Sequence, residues 1–451
     1  MAKKMSPSKT SDGKKSSFTE LNDMLSKFSP DGAIIEDSLY ARIDEWIPTG
    51  SYILNAALSG SLFGGMPNRR SLMFAGETGT GKTYIACSII RNAQALGYFP
   101  IYYDSEGSID VDFVKRLGID TNAFRIENVN TIEEFATLAA KLNETVSELK
   151  KQGKVPPKII VVLDSLGNLS STKEKEDTTS GSGKRDMTKQ QSIRRMFRVI
   201  GNDFAKNAIP FILNNHTYAS IGSYIPGQTI SGGGGAMFNA SIIFTLTKSK
   251  LTDKDSEDHV KKQGIEATKI GIVVTVHPFK QRFARPIKVQ IHIPFYKKPN
   301  PYVGLEKFVN WESCGIIRGK MLTTKDYGKL SPSEQKSCKQ FTVPVNSTIK
   351  NDDGIRYALP KDTARTLVCK HLGGEIPISE LYTDKVFTHE VLQQLDDNII
   401  KKTFMLPSIE SLDDLVEISG DLLDDAEMGD DKTDNEVDIS ELEDFETPTE
   451  I

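Results

Sequence analysis

Residues Gly76-Glu77-Thr78-Gly79-Thr80-Gly81-Lys82-Thr83 match G-x-x-x-x-G-K-[ST] at every fixed position, between a strand-like apolar run (Ser71 to Ala75) and a helix-like run opening at Tyr84-Ile85-Ala86. A strand that turns through glycines into a helix admits few folds. Its loop N–H groups and the helix N-terminus must converge on one anion site at the edge of a sheet. The glycines let the backbone approach phosphate oxygens, Lys82 adds a full charge, and the Thr83 hydroxyl suits Mg²⁺. The motif therefore calls for an α/β fold that holds ATP, or in second place GTP, on Gly76, Glu77, Thr78, Gly79, Thr80, Gly81, Lys82 and Thr83.

The rest of the pattern agrees. From about residue 46, short apolar runs alternate with longer helical stretches, as in a mostly parallel sheet. The expected strands are Ser71 to Ala75, Phe99 to Asp104, Lys158 to Asp164, Ile209 to Asn214, Ile242 to Thr247, Gly271 to Val276 and Ile287 to Ile293. The last alternates strictly, which places one face in solvent near the sheet edge. A capping box, Thr131-Ile132-Glu133-Glu134, opens a helix with Phe135, Leu138, Leu142, Val146 and Leu149 on one side. Ahead of the core, Phe18, Leu21, Met24, Leu25 and Phe28 share one helical face, a stripe that must be buried on the chain's own core or on a neighbour.

Charge is segregated. Residues 410–451 hold 18 Asp+Glu against one Lys, which leaves residues 1–409 with a net charge of +12. A basic body suits a polyanionic partner, and an acidic tail either competes for the same surface or serves only solubility. The four cysteines and six histidines are scattered without metal-ligand or redox spacing. With no apolar signal segment and no membrane-length apolar run, the expectation is a soluble cytoplasmic protein without membrane association.

In open α/β sheets the ligand lies beyond the carboxyl ends of the strands. Lys158-Ile159-Ile160-Val161-Val162-Leu163-Asp164 ends in a carboxylate that could hold Mg²⁺ together with Thr83. Tyr102-Tyr103-Asp104-Ser105-Glu106 ends in two; Glu106 is the choice for activating water, while Asp104 could cap the following turn. Asn214-Asn215-His216 ends a third strand in groups able to sense a γ-phosphate, or in an ordinary structural histidine. Two polar loops follow, Ser170 to Thr188 and Thr217 to Ala236. The first carries Lys184 and Arg185 and leads into Lys189 and Arg194; the second carries Tyr218, Tyr224 and the glycines Gly232 to Gly235. The second is too flexible, on composition, to pack a core. Cations with aromatics suit single-stranded nucleic acid, although exposed loops of this kind also occur without ligands.

The combination resembles the RecA-type recombinase family, and within it the UvsX branch of the T-even phages. Asn55-Ala56-Ala57-Leu58-Ser59-Gly60, Tyr103-Asp104-Ser105-Glu106, Asp164-Ser165-Leu166-Gly167-Asn168-Leu169, Asn215-His216-Thr217-Tyr218 and the glycines 232–235 occur in the family's order over roughly residues 45–305. The resemblance implies a RecA-like ATPase with Glu106 as general base and His216 as the γ-phosphate sensor. It implies adenine contacts from Asp110 and Phe113, and DNA contacts from Lys184, Arg185, Lys189, Arg194, Tyr218, Tyr224, Gly232 and Gly233. Lys280 and Arg282 stand nearest to the family's basic residues that reach a neighbour's nucleotide. The resemblance covers the core (46–298) and implies that the helix and linker before it (17–45) make a subunit contact; composition and pattern add a disordered basic arm (1–16), a small accessory domain (299–408) and a disordered acidic tail (409–451). The implied partners are single-stranded and duplex DNA, further copies in a helical filament, and single-strand-binding and mediator proteins. A hexameric replicative helicase built on the same core is the alternative, as is a filament protein that uses ATP only as a structural ligand.

Overall fold

The computed structural model describes residues 12–29, 32–38, 41–179, 188–219, 228–252, 269–343 and 354–407. The first helix, α1 (Asp12–Phe28), begins inside the segment expected to be a disordered arm. Its apolar stripe finds no place on the core of this chain: Phe18 is 69% and Phe28 86% exposed, and Leu21, Met24 and Leu25 are exposed too.

Strands β1 (Trp46–Ile47) and β2 (Met66–Pro67) form a small antiparallel pair on either side of helix α2 (Tyr52–Ser59). The chain then alternates: β3 (Ser71–Gly76), α3 (Lys82–Ala95), β4 (Tyr98–Asp104), α4 (Val111–Arg116), β5 (Arg125–Asn128), α5 (Ile132–Lys151), β6 (Lys158–Asp164), α6 (Thr172–Thr179), α7 (Thr188–Asn207) and β7 (Phe211–Asn215). A short ribbon, β8 (Thr217–Ala219) with β9 (Gln228–Ile230), and helix α8 (Gly233–Asn239) precede the meander β10 (Ile242–Thr252), β11 (Lys269–Lys280) and β12 (Val289–Pro294). Eight strands make one sheet in the order β12-β11-β10-β3-β7-β6-β4-β5; β10 joins β3 in parallel, and β11 and β12 extend the sheet antiparallel.

The burial explains the pattern. Ile159 to Leu163 are buried throughout, as an interior strand covered on both faces requires, whereas β12 alternates and lies at the sheet edge as its sequence foretells. Helices α5 and α7 cover one face through Phe135, Ala139, Val146, Ile193, Met196 and Ile200; α2 and α3 cover the other. The α5 cap forms as its sequence calls for, with Thr131 Oγ1 accepting from Glu134 N at 3.1 Å; the Glu134 carboxylate turns instead to Asn130 N, 2.9 Å.

Residues after Pro299 form an antiparallel sheet that the sequence pattern left unspecified. Its order is β14-β15-β13-β16-β17, from β13 (Ile316–Thr323), β14 (Lys339–Thr342), β15 (Ile355–Pro360), β16 (Thr366–Cys369) and β17 (Gly374–Pro377). The helical segments His389–Leu395, Asp396–Ile400 and Lys401–Phe404 follow in succession, and the last packs back onto α2. Fully buried Asp396 fixes this contact by accepting from Ser61 Oγ and Leu62 N, each 2.7 Å away. One hydrophobic cluster runs from Ile53 and Leu58 to Phe387, Leu395 and Phe404.

Two loop expectations need correction. The segment 170–188 contains helix α6, and 217–236 contains the β8–β9 ribbon and the start of α8 rather than one flexible loop. The glycines help here because they admit close packing: a Cβ on Gly235 would lie 2.7 Å from Arg194 Cγ, and neighbouring Ala236 is fully buried.

Candidate active site

The carboxyl ends of β3, β4, β6 and β7 meet the end of β12 around a cleft of about 1190 Å³. That exceeds the roughly 300–1,000 Å³ common for small-ligand pockets. The phosphate loop forms one wall. At Gly81 the backbone is left-handed (φ +90°), and a Cβ there would lie 2.5 Å from Ile293 Cδ1, so the turn into α3 and the seating of β12 both demand glycine. Lys82 is buried and donates to the carbonyls of Gly76 (2.8 Å) and Glu77 (2.9 Å). Burial lowers its pKa, against the opposing pull of the Asp164 and Glu106 carboxylates.

Asp164, only 2% exposed, is the hub of the site. Its Oδ2 accepts from Thr83 Oγ1 (2.6 Å), Tyr102 OH (2.6 Å) and Asn214 Nδ2 (2.8 Å). Burial first, and then Asp164, push the Tyr102 hydroxyl well above its ordinary value, which keeps it a donor. Among the described residues Asn214 Oδ1 is one of three buried side-chain polar atoms without a partner. The Thr83 hydroxyl and the Asp164 carboxylate both line the cleft and are hard donors that fit Mg²⁺ with part of its water shell. No cluster of three His, Cys, Asp or Glu side chains able to hold a metal occurs among the described residues.

Glu106 faces this hub. Its Oε1 accepts from Ser165 Oγ and lies 2.7 Å from His216 Nε2. Burial raises its pKa, but the Ser165 and His216 hydrogen bonds, with His216 and Lys82 as charges, outweigh that and hold the carboxyl below its ordinary value. Asp104 takes the other role open to it: Oδ1 accepts from the N–H groups of Glu106 (2.9 Å) and Gly107 (2.8 Å), fixing the turn that presents Glu106. Ser105 and Ser165 clamp the two strand ends together. The His216 backbone continues outward, its carbonyl accepting from Ser231 N at 2.9 Å between β9 and α8.

Asp110 and Phe113 both line the cleft, and Asp110 also caps α4 by accepting from Phe113 N at 2.8 Å. Lys280 and Arg282 do not line it. Lys280 is the last residue of β11 rather than a residue beyond the strand; because β11 is antiparallel, pairing sets it against Ile243, at the amino end of β10. There its amine donates to the carbonyls of Met237 (3.1 Å) and Phe238 (2.8 Å) at the end of α8. Lys189 on α7 is 4.0 Å from Glu174 of α6, Arg194 packs on Gly235, and Tyr218 is exposed on β8. Gly232 is the left-handed residue capping α8 and Gly233 its first residue. Lys184, Arg185 and Tyr224 lie outside the described residues.

Sequence reasoning missed Tyr102 and Ser165, which bond to Asp164 and Glu106, and the lining residues Arg91, Lys115, Arg116 and the segment Phe295 to Pro299. The last was findable: β12 runs parallel to β3, so its carboxyl end falls beside the phosphate loop.

The RecA N-terminal domain family matches residues 22–296. The chain is similar to "Recombination and repair protein" of Enterobacteria phage T4, 29% identical over 206 residues, 45% of this chain and 50% of that protein. It is also similar to "Protein RecA" of Nocardia farcinica, 29% identical over 240 residues (52% and 63%), and of Mycobacterium ulcerans, 30% identical over 239 (52% and 63%). These matches span between half and two thirds of each relative's length.

Proposed function

The chain belongs to the RecA family, and from that premise we propose that it is an ATP-dependent DNA recombinase and repair protein that forms a filament on single-stranded DNA and exchanges strands with a duplex. The observation that carries the reading is the link from Glu106 through His216 to the ribbon and helix at 217–239. A carboxylate placed to activate water is thereby tied to the segment offered for DNA contact.

Lys82 and the loop N–H groups bind the phosphates of ATP, and Phe113 and Asp110 receive its base. Thr83 and Asp164 would hold Mg²⁺, which neutralises phosphate charge. Glu106, ionised because its partners hold its pKa down, orients the attacking water and accepts its proton. His216 fixes Glu106 and transmits its position to β8 and β9. Lys280 and Arg282, which do not line their own cleft, serve a neighbouring protomer, so that nucleotide at the junction joins copies together. Lys189, Arg194, Tyr218 and the α8 glycines contribute the DNA surface, with residues 299–408 as an accessory domain and the acidic tail as its electrostatic restraint. No helix among the described residues is long and apolar enough to cross a membrane.

A strand-exchange assay with homologous single-stranded and duplex DNA tests the reading. Product should depend on ATP and vanish in Lys82→Ala; ATP turnover without exchange, on closed rings, would favour the helicase alternative.

A further inference from the structure

We propose that Lys248 is a second cation of the phosphate loop, a positioning residue that holds the loop's crown from β10; this rests on the ATP reading of the cleft. A loop that aims N–H groups at phosphate must turn carbonyls the other way, and those carbonyls need donors. Three successive ones receive them from side chains. Gly76 O and Glu77 O accept from Lys82, Glu77 O also accepts from Thr80 Oγ1 (2.9 Å), and Thr78 O accepts from Lys248 Nζ at 2.6 Å.

The two lysines differ in what they can keep. Lys82 lines the cleft and must leave its carbonyls to reach a phosphate, whereas Lys248 does not line the cleft and keeps its bond. Strand register explains its arrival: Leu246 pairs with Gly76, and β10 runs on past that point, which carries Lys248 over the crown. Its amine sits so close to the loop that a Cβ on Gly79 would lie 3.0 Å from it. Its charge also reaches Lys82, opposing that side chain's protonation after the larger effect of burial. A cation there adds positive potential to the loop without touching the nucleotide.

Such a brace strengthens ground-state and transition-state binding alike, so it should appear in KM rather than kcat. The experiment measures ATP and ADP dissociation constants by calorimetry, with kcat and KM, for the full chain and for Lys248→Met, Lys248→Arg and Lys82→Ala. Lys248→Met should weaken both nucleotides and raise KM by about tenfold, the size of one charge-assisted hydrogen bond, with kcat held within about twofold. Lys248→Arg should restore most of the loss, and the melting temperature should not move, since residue 248 is exposed. Wild-type KM in Lys248→Met, or a fall in kcat alone, overturns the proposal while leaving the cleft's role intact. Failure of the wild-type chain to bind ATP would overturn the ATP reading and the proposal with it.

Discussion

The nucleotide cleft and the surfaces formed by α1, α8 and the end of β11 treat their side chains in opposite ways. In the cleft, Lys82, Thr83, Tyr102, Glu106, Asp164 and His216 all hydrogen-bond within the chain, and Ser105 and Ser165 clamp the ends of β4 and β6 together. Outside it, large apolar groups lie open: the α1 stripe, Phe238 at 70% exposure and Phe279 at 54%. A folded chain ordinarily covers such groups, and clusters of them mark contact surfaces. The contrast teaches that the groups proposed for chemistry find their hydrogen-bond partners within one copy, whereas the open apolar groups offer a surface to the neighbour that Lys280 and Arg282 are proposed to serve. That fits the proposed placement of nucleotide at a junction between protomers.

The comparison can be broken most sharply on the side of chemistry. Glu106→Gln keeps the shape but loses the base, so kcat should fall about 10³-fold with ATP affinity retained; steady-state kinetics with calorimetry decides this. Unchanged turnover would mean that ATP serves only as a structural ligand. On the open side, Leu21→Asp with Leu25→Asp should raise the concentration needed for assembly about 100-fold, as expected from losing two buried leucines, while the cleft still binds ATP. Light scattering reads this effect. Lys280→Met removes the amine that caps the α8 carbonyls, and should cost about tenfold in DNA-stimulated turnover only at concentrations where the chain assembles.

The smallest effect is a titration. Glu106 is held below its ordinary 4.5 because donors and nearby cations favour the charged form more than burial opposes it. A carboxyl depressed in this way adds stability above its unfolded value, and that stability is lost as pH falls through the folded one. His216→Ala removes one of those donors, so the Glu106 carboxyl should titrate at higher pH than in the wild type, observable by carbon NMR of the side chain. A downward movement would show that His216 does not stabilise the ionised carboxylate.

The cleft was legible in the sequence where its signal is local. The phosphate loop, Asp164, Glu106 and His216 each follow an apolar strand directly, and in a parallel sheet those ends meet by construction. Tyr102 was hidden because a tyrosine inside an apolar strand looks like core; only pairing of β4 with β6 puts its hydroxyl on Asp164. Lys248 was hidden in the same way, one residue beyond the end expected for its strand. Helix α6, Thr-Lys-Glu-Lys-Glu-Asp-Thr-Thr, has no apolar face to betray it, and α8 opens on glycines whose packing against Arg194 is a tertiary fact. The sheet of β13 to β17 consists of short, half-exposed strands, and its central strand β13 pairs with β15 and β16 far along the chain, so periodicity carries little of it.

Electron microscopy of the full chain on a single-stranded oligonucleotide, saturated with a non-hydrolysable ATP analogue, tests the central claim most directly. The account predicts open helical filaments that disassemble when ADP replaces the analogue; isolated protomers or closed rings under the same conditions would contradict it.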